Sequence, residues 1–178
     1  KHGFINARKH DSQDICFVPD GDYAKFIEKY TGKKMPEGDF VDKEGNYIGR
    51  HKGIIHYTIG QRRGLGIPAA SRLYVCEISP KTNTVVLGDN ADLFSSELEA
   101  ESVNLISVDS LAEPKRVTAK IRYRHKEQPA IAWQTPDGIL HVKFDEPQRA
   151  ITKGQAVVMY DGDEVVGGGV INKIYSQS

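Results

Sequence analysis

Hydrophobic and polar positions change period more than once along this chain. Ile15-Cys16-Phe17-Val18 is an apolar run of strand length, closed by the turn signal Pro19-Asp20-Gly21. Tyr23, Phe26, Ile27 and Tyr30 then recur at helical spacing, with Asp22 placed as N-cap and Gly32 as the stop. They predict a short helix whose stripe faces a core. Beyond it the period falls to two. Asp39-Phe40-Val41 and Tyr47-Ile48-Gly49 flank the turn-forming run Asp42–Asn46, and Leu73–Ile78 and Thr84–Leu87 flank Ser79–Asn83. Both patterns read as hairpins.

From about Leu98 onward the pattern is strands throughout. Arg116–Arg124 alternates strictly, which predicts Val117, Ala119, Ile121 and Tyr123 on one face and Thr118, Lys120, Arg122 and Arg124 on the other. Ala130–Trp133 and Leu140–Phe144 flank a Pro136-Asp137-Gly138 turn, Gln155–Tyr160 and Val165-Val166 flank Asp161–Glu164, and Gly167-Gly168-Gly169-Val170-Ile171 follows. Short strands at this spacing predict a small closed barrel or sandwich. The expected fold is therefore mainly β with minor α. Residues 1–12 read as a linker, 13–95 as a small central α+β domain, and 98–176 as a C-terminal β-barrel.

Composition narrows the class. The chain has 178 residues, 39% of them hydrophobic and 27% charged, which suits a packed soluble core. No apolar stretch is long enough to span a membrane, and Lys1–Asn6 has no signal-peptide core. The missing initiator methionine leaves room for a longer protein. Two cysteines, Cys16 and Cys76, are too few for a disulfide scaffold and point to a reducing, cytoplasmic setting. Basic and acidic residues balance at 24 each, so any nucleic-acid contact has to come from a local patch.

Local patches exist. Lys120, Arg122 and Arg124, if they share a strand face, could follow a phosphate backbone. The segment His51–Ile67 carries Gly53, Gly60, Gly64 and Gly66, which permit positive φ, beside Arg62 and Arg63, which can hold a phosphate or carboxylate bidentately. It is not a phosphate loop, because no Lys-Ser/Thr follows the glycines. His51 and His56 lack cysteines at zinc spacing, so no metal is expected. Cys76, inside a strand, reads as packing. Cys16 by itself reads as a packed thiol before a reactive one, because free cysteine is among the most buried residue types.

Several motifs together go further. Ser12-Gln13-Asp14-Ile15-Cys16-Phe17, the stretch from His51-x-Gly53 through Tyr57–Ile67, Arg122-Tyr123-Arg124, and Phe144-x-x-Pro147-x-x-Ala150-x-Thr152-x-Gly154-Gln155 followed by Gly167-Gly168-Gly169-x-Ile171 resemble, in order, the signatures of the tRNA-specific 2-thiouridylases (the MnmA/TrmU family). The resemblance implies an enzyme that replaces the 2-oxygen of the wobble uridine in tRNA with sulfur. It implies that Cys16 carries the persulfide, that Arg122, Tyr123 and Gln155 touch tRNA, and that the barrel is related to those of translation factors. A sulfur-relay protein would donate the persulfide. ATP would be bound by an N-terminal pyrophosphatase domain whose Ser-Gly-Gly-x-Asp-Ser motif is not in this sequence, and which would also hold the partner cysteine. On that reading this chain alone is inactive. The competing expectation is a non-catalytic RNA-binding adaptor in which Cys16 merely packs. A thiol hydrolase is disfavoured, since no histidine stands in a recognisable dyad with Cys16.

Overall fold

Helix α1 (Tyr23–Thr31) leads into two β units. The computed structural model describes residues 23–68 and 72–175. Asp22, the Cys16 strand and its Pro19-Asp20-Gly21 turn lie outside the described residues. The helix forms where its spacing predicts, and Gly32 ends it at φ +67°. Its stripe, however, is not a core face. Ala24 is buried, Phe26 and Ile27 are half-buried, and Tyr23 and Tyr30 are exposed, with Phe26 and Tyr30 stacked 6.0 Å apart. Among the described residues little packs against this nine-residue helix, so the stripe is not covered there.

The first β unit is a four-stranded sheet built from β1 (Gly38–Val41), β2 (Tyr47–His51), β3 (Tyr74–Ser79) and β4 (Thr84–Gly88), in the order β2-β1-β4-β3. Both expected hairpins are present. The sequence pattern did not disclose that β1 lies parallel to β4, which joins the hairpins into one sheet. The glycine-rich segment between β2 and β3 closes over it. Its Tyr57 and Leu65 join buried Phe40, Val75, Val85 and Leu87, while Ile59 and Ile67 pack beside them. Backbone bonds from Gly60 N–H to Val75 O (2.8 Å) and from Val75 N–H to Gln61 O (2.9 Å) stitch the segment to β3. An edge strand that would otherwise offer unpaired backbone is thereby covered.

The second unit is a closed barrel of β5 (Phe94–Leu105), β6 (Lys115–Lys120), β7 (Gln128–Gln134), β8 (Leu140–Arg149), β9 (Ala156–Asp161) and β10 (Glu164–Tyr175), in the order β10-β5-β8-β7-β6-β9. Period-two positions fill its interior: Val117 and Ala119, Ala130 and Ala132, Leu140, Val142 and Phe144, Val157 and Met159. Alanines opposite bulkier residues suit so narrow a barrel. Gly168 sits where β10 passes β9 closely, and a Cβ there would stand 2.3 Å from Val157 O. The fold is mostly β, as expected. The chain passes from sheet to barrel at Asp89–Leu93, where Lys43 Nζ bridges to Asp92 at 2.5 Å and Ala150 N–H donates to Leu93 O at 2.7 Å.

Candidate nucleic-acid interface

One strand departs from its expected alternation, and the departure shapes the candidate site. β6 keeps Val117 and Ala119 buried and ends at Lys120; Ile121 is still buried, but the chain then turns, with His125 N–H donating to Arg122 O at 3.0 Å. Tyr123 therefore does not continue the core face and is 71% exposed. Arg124 lies on the exposed turn rather than in line with Lys120. The pattern was right as far as Ile121 and failed where the strand stopped.

The turn puts sequence-distant residues together. Lys120, Arg122, Tyr123, Gln155, Ala156, Val158 and Tyr160 line a surface concavity of about 460 Å³. Pairing of β6 with β9 explains half of this, because Lys120 stands opposite Val158 and Thr118 opposite Tyr160. The other half is a short turn pinned to β10: Gly154 N–H donates to Ile171 O at 2.7 Å and Ile171 N–H to Gln155 O at 2.8 Å. Gln155 is held by its backbone, and its exposed side-chain amide makes no hydrogen bond among the described residues. Tyr160 was not foreseen. Its outward position alternates with Val157 and Met159, but only the β6–β9 pairing shows that it adjoins Lys120.

The cations on β6 and the turn after it are unequal. Lys115 pairs with Asp161, Arg116 with Asp145 in a two-pronged contact, and Lys120 with Glu127 at 3.3 Å. Lys120 Nζ also lies 5.3 Å from the centre of the Tyr160 ring, a cation–π contact. Arg122 differs. It donates to a carbonyl, Arg149 O, at 3.2 Å, and among the described residues no carboxylate pairs with it. Its charge reaches His125, whose pKa is held below the usual imidazole value first by burial and then by the Arg122 guanidinium. A fixed cation, an exposed tyrosine with a half-buried one beside it, and an exposed amide are what unpaired RNA recognition uses: phosphate, base face and base edge.

The other sequence candidates fall elsewhere. Cys16 lies outside the described residues. Cys76 is half-buried on β3, hydrogen-bonded to Tyr74 O, and burial followed by the Asp92 carboxylate pushes its thiol up to about 11. Such a thiol carries little thiolate and is a packing group. His51 is buried between Phe40 and Tyr57; its Nε2–H donates to Asn83 O and its Nδ1 accepts from Gly53 N–H, both at 3.1 Å. That is a structural histidine.

Residues 24–89 match a family model described as the tRNA methyl transferase PRC-barrel domain, and residues 95–171 one described as the aminomethyltransferase beta-barrel domain. A protein of Clostridioides difficile named tRNA-specific 2-thiouridylase MnmA is 58% identical over 171 residues, 96% of this chain and 47% of its own length. Relatives of the same name from Acetivibrio thermocellus and Lachnoclostridium phytofermentans are 56% and 51% identical over 95% and 97% of the chain. The chain belongs to the tRNA-specific 2-thiouridylase family. It spans about half the length of these curated relatives. In this chain the two matched stretches correspond to the four-stranded sheet with α1 and to the closed barrel. The Arg122-Tyr123 corner and Gln155 both fall inside the barrel match.

Proposed function

We propose that this chain is the tRNA-docking and sulfur-carrying part of a cytoplasmic tRNA uridine 2-sulfurtransferase. The observation that supports it best is the convergence of Arg122, Tyr123 and Gln155, separated in sequence, on one concavity with Lys120 and Tyr160. In this reading Arg122 meets a backbone phosphate, Tyr123 and Tyr160 offer ring faces, and Gln155 reads a base edge or a 2′-hydroxyl. Cys16 accepts the outer sulfur of a donor protein's persulfide, and the donor cysteine leaves as a thiolate. ATP chemistry on the uridine is assigned to the part of the relatives' length that this chain does not span. The glycine-rich segment has no Lys-Ser/Thr after its glycines, so it is not a phosphate loop of the nucleotide-binding kind.

The test uses the full-length protein. Arg122→Ala should weaken tRNA binding about tenfold and lower the slope of log affinity against log salt by about 1. Wild-type affinity with a wild-type slope would remove Arg122 from the interface. Cys16→Ser should bind tRNA normally and form no 2-thiouridine, measured by mass spectrometry of the digested tRNA. Normal thiolation would instead support the adaptor reading, in which the barrel grips RNA and Cys16 only packs.

A further inference from the structure

The cations of this neutral chain are not spread evenly. Between Gly45 and Cys76 there is no aspartate or glutamate, while Arg50, Lys52, Arg62, Arg63 and Arg72 all fall in that interval. Arg50 is matched by Asp39 at 2.9 Å and Glu37 at 3.8 Å. Arg62, Arg63 and Arg72 are exposed and make no ion pair or hydrogen bond with their side chains among the described residues. Arg62 and Arg72 line one concavity of about 290 Å³ together with Gly64, Leu65, Gly66, Ile67 and Leu73.

The backbone at its floor is arranged independently of these charges. Gly64 and Gly66 have φ of +75° and +72°, while Leu65 between them stays in the ordinary negative region. Alternation of this kind turns successive N–H groups toward a common concave side, the arrangement that receives anions. No N–H from Arg62 to Gly66 donates to a protein acceptor among the described residues. Close packing does not explain the glycines, since a Cβ on Gly66 would meet nothing within 4 Å and one on Gly64 only Gln61 Nε2 at 3.9 Å. The loop is nonetheless held in shape. The Gln61 side chain accepts from Thr58 N–H at 3.0 Å and donates to Arg63 O at 3.0 Å, while buried Leu65 anchors it from below.

We propose that Arg62, Arg72 and the Arg62–Gly66 backbone form a second anion site, which takes a phosphodiester of the same RNA that the barrel docks. This rests on the RNA-docking reading above. Guanidiniums suit phosphate bidentately, and free backbone amides add donors that carry no sequence preference. An acidic protein partner fits less well, because interfaces of that kind are built on exposed apolar anchors. The large exposed hydrophobics, Tyr23, Tyr30, Tyr47, Ile106, Tyr123, Ile131 and Val170, all lie outside this loop.

The experiment compares wild-type full-length protein with Arg62→Ala/Arg72→Ala, the charge-keeping Arg62→Lys/Arg72→Lys, and Arg122→Ala, each first shown to melt like wild type. tRNA affinity is measured across salt. The double alanine variant should lose about tenfold in affinity and lower the salt slope by about 1 to 2, with the double lysine variant between it and wild type. In a parallel titration with inorganic phosphate alone, the Gly64 and Gly66 amide resonances should shift in wild type and not in the double alanine variant. If the double alanine variant binds tRNA as wild type does while Arg122→Ala is impaired, the second site is wrong and barrel docking stands. If both bind normally, both readings fall. A phosphate response with unchanged tRNA binding would make this a free-anion site, and weakened binding of an acidic sulfur donor alone would make it a protein interface; either result overturns the proposal.

Discussion

The barrel and the four-stranded sheet deal with their edges in opposite ways. The barrel closes on itself, so every strand has two partners and its core runs unbroken from Leu98 to Ile171. The sheet stays open and covers β3 with a long glycine-rich loop whose Tyr57 and Leu65 complete a much smaller core. Each carries its exposed cations accordingly. In the barrel, Arg122 and Gln155 sit on short turns pinned to neighbouring strands. In the sheet, Arg62 sits on a loop whose shape depends on the core beneath it. The lesson is that rigidity is local: the barrel places its groups by strand pairing, the sheet by burying every other part of one loop. Arg149 is where the two meet, with its carbonyl accepting from Arg122 and its guanidinium 5.7 Å from the Tyr74 ring.

Phe40→Ala tests this contrast with the largest expected effect. Phe40 is fully buried, with its ring edge-on to Tyr57 at 5.1 Å and to His51 at 5.5 Å. Its removal should cost about 3–5 kcal/mol, a large share of what so small a core can supply. The chain carries a separate reporter in each unit: Cys76 in the sheet and its single tryptophan, Trp133, in the barrel. In a Cys16→Ser background, thiol labelling of Cys76 should quicken by roughly two to three orders of magnitude. The urea transition read from Trp133 should hardly move. A Trp133 transition that falls in step with Cys76 protection would show one cooperative unit and end the comparison.

Gly168→Ala probes the other side. The new methyl would press on the Val157 carbonyl, where backbone rather than a flexible side chain must give way. Overpacking of this kind costs about 1–3 kcal/mol. The Trp133 transition should drop to lower urea while Cys76 labelling keeps its rate. Wild-type stability would mean that β10, already irregular between Gly168 and Val170, absorbs the methyl by shifting its register.

How much of this was legible in the sequence depended on whether the deciding contacts were local. Hairpins, the glycine positions with positive φ and the inward faces of β6 to β9 follow from period and turn chemistry, which neighbours in sequence determine. The parallel β1–β4 pairing and the closure of β9 onto β6 do not, because they join segments far apart. Tyr123 shows the boundary between the two cases. Alternation alone put it in the core, yet the strand ends at Lys120 and the turn exposes it. The helix stripe failed for a related reason, since a periodic face says nothing about whether a partner surface exists. Of the site, Arg122, Tyr123 and Gln155 came from motif resemblance, whereas Tyr160 needed the fold.

The finest distinction is between two histidines, one buried in the sheet and one half-buried at the barrel rim. In the sheet, His51 has both ring nitrogens engaged, by Gly53 N–H and Asn83 O. At the barrel rim, His125 has a buried Nδ1 with no hydrogen-bond partner among the described residues and a cation nearby, and its pKa is lowered by burial and then by Arg122. A folded pKa below the unfolded one means that the unfolded chain holds more protons, so stability rises with pH through that window. The contribution is in place above the unfolded value of about 6.5 and is lost as pH falls through the folded pKa. His125→Gln should therefore flatten the acid side of the Trp133-detected stability profile below about pH 6.5. His51 is unchanged in both proteins, so the difference isolates the rim. Profiles of equal steepness would mean that His125 titrates alike in the folded and unfolded chain, and that neither burial nor the Arg122 charge acts on it.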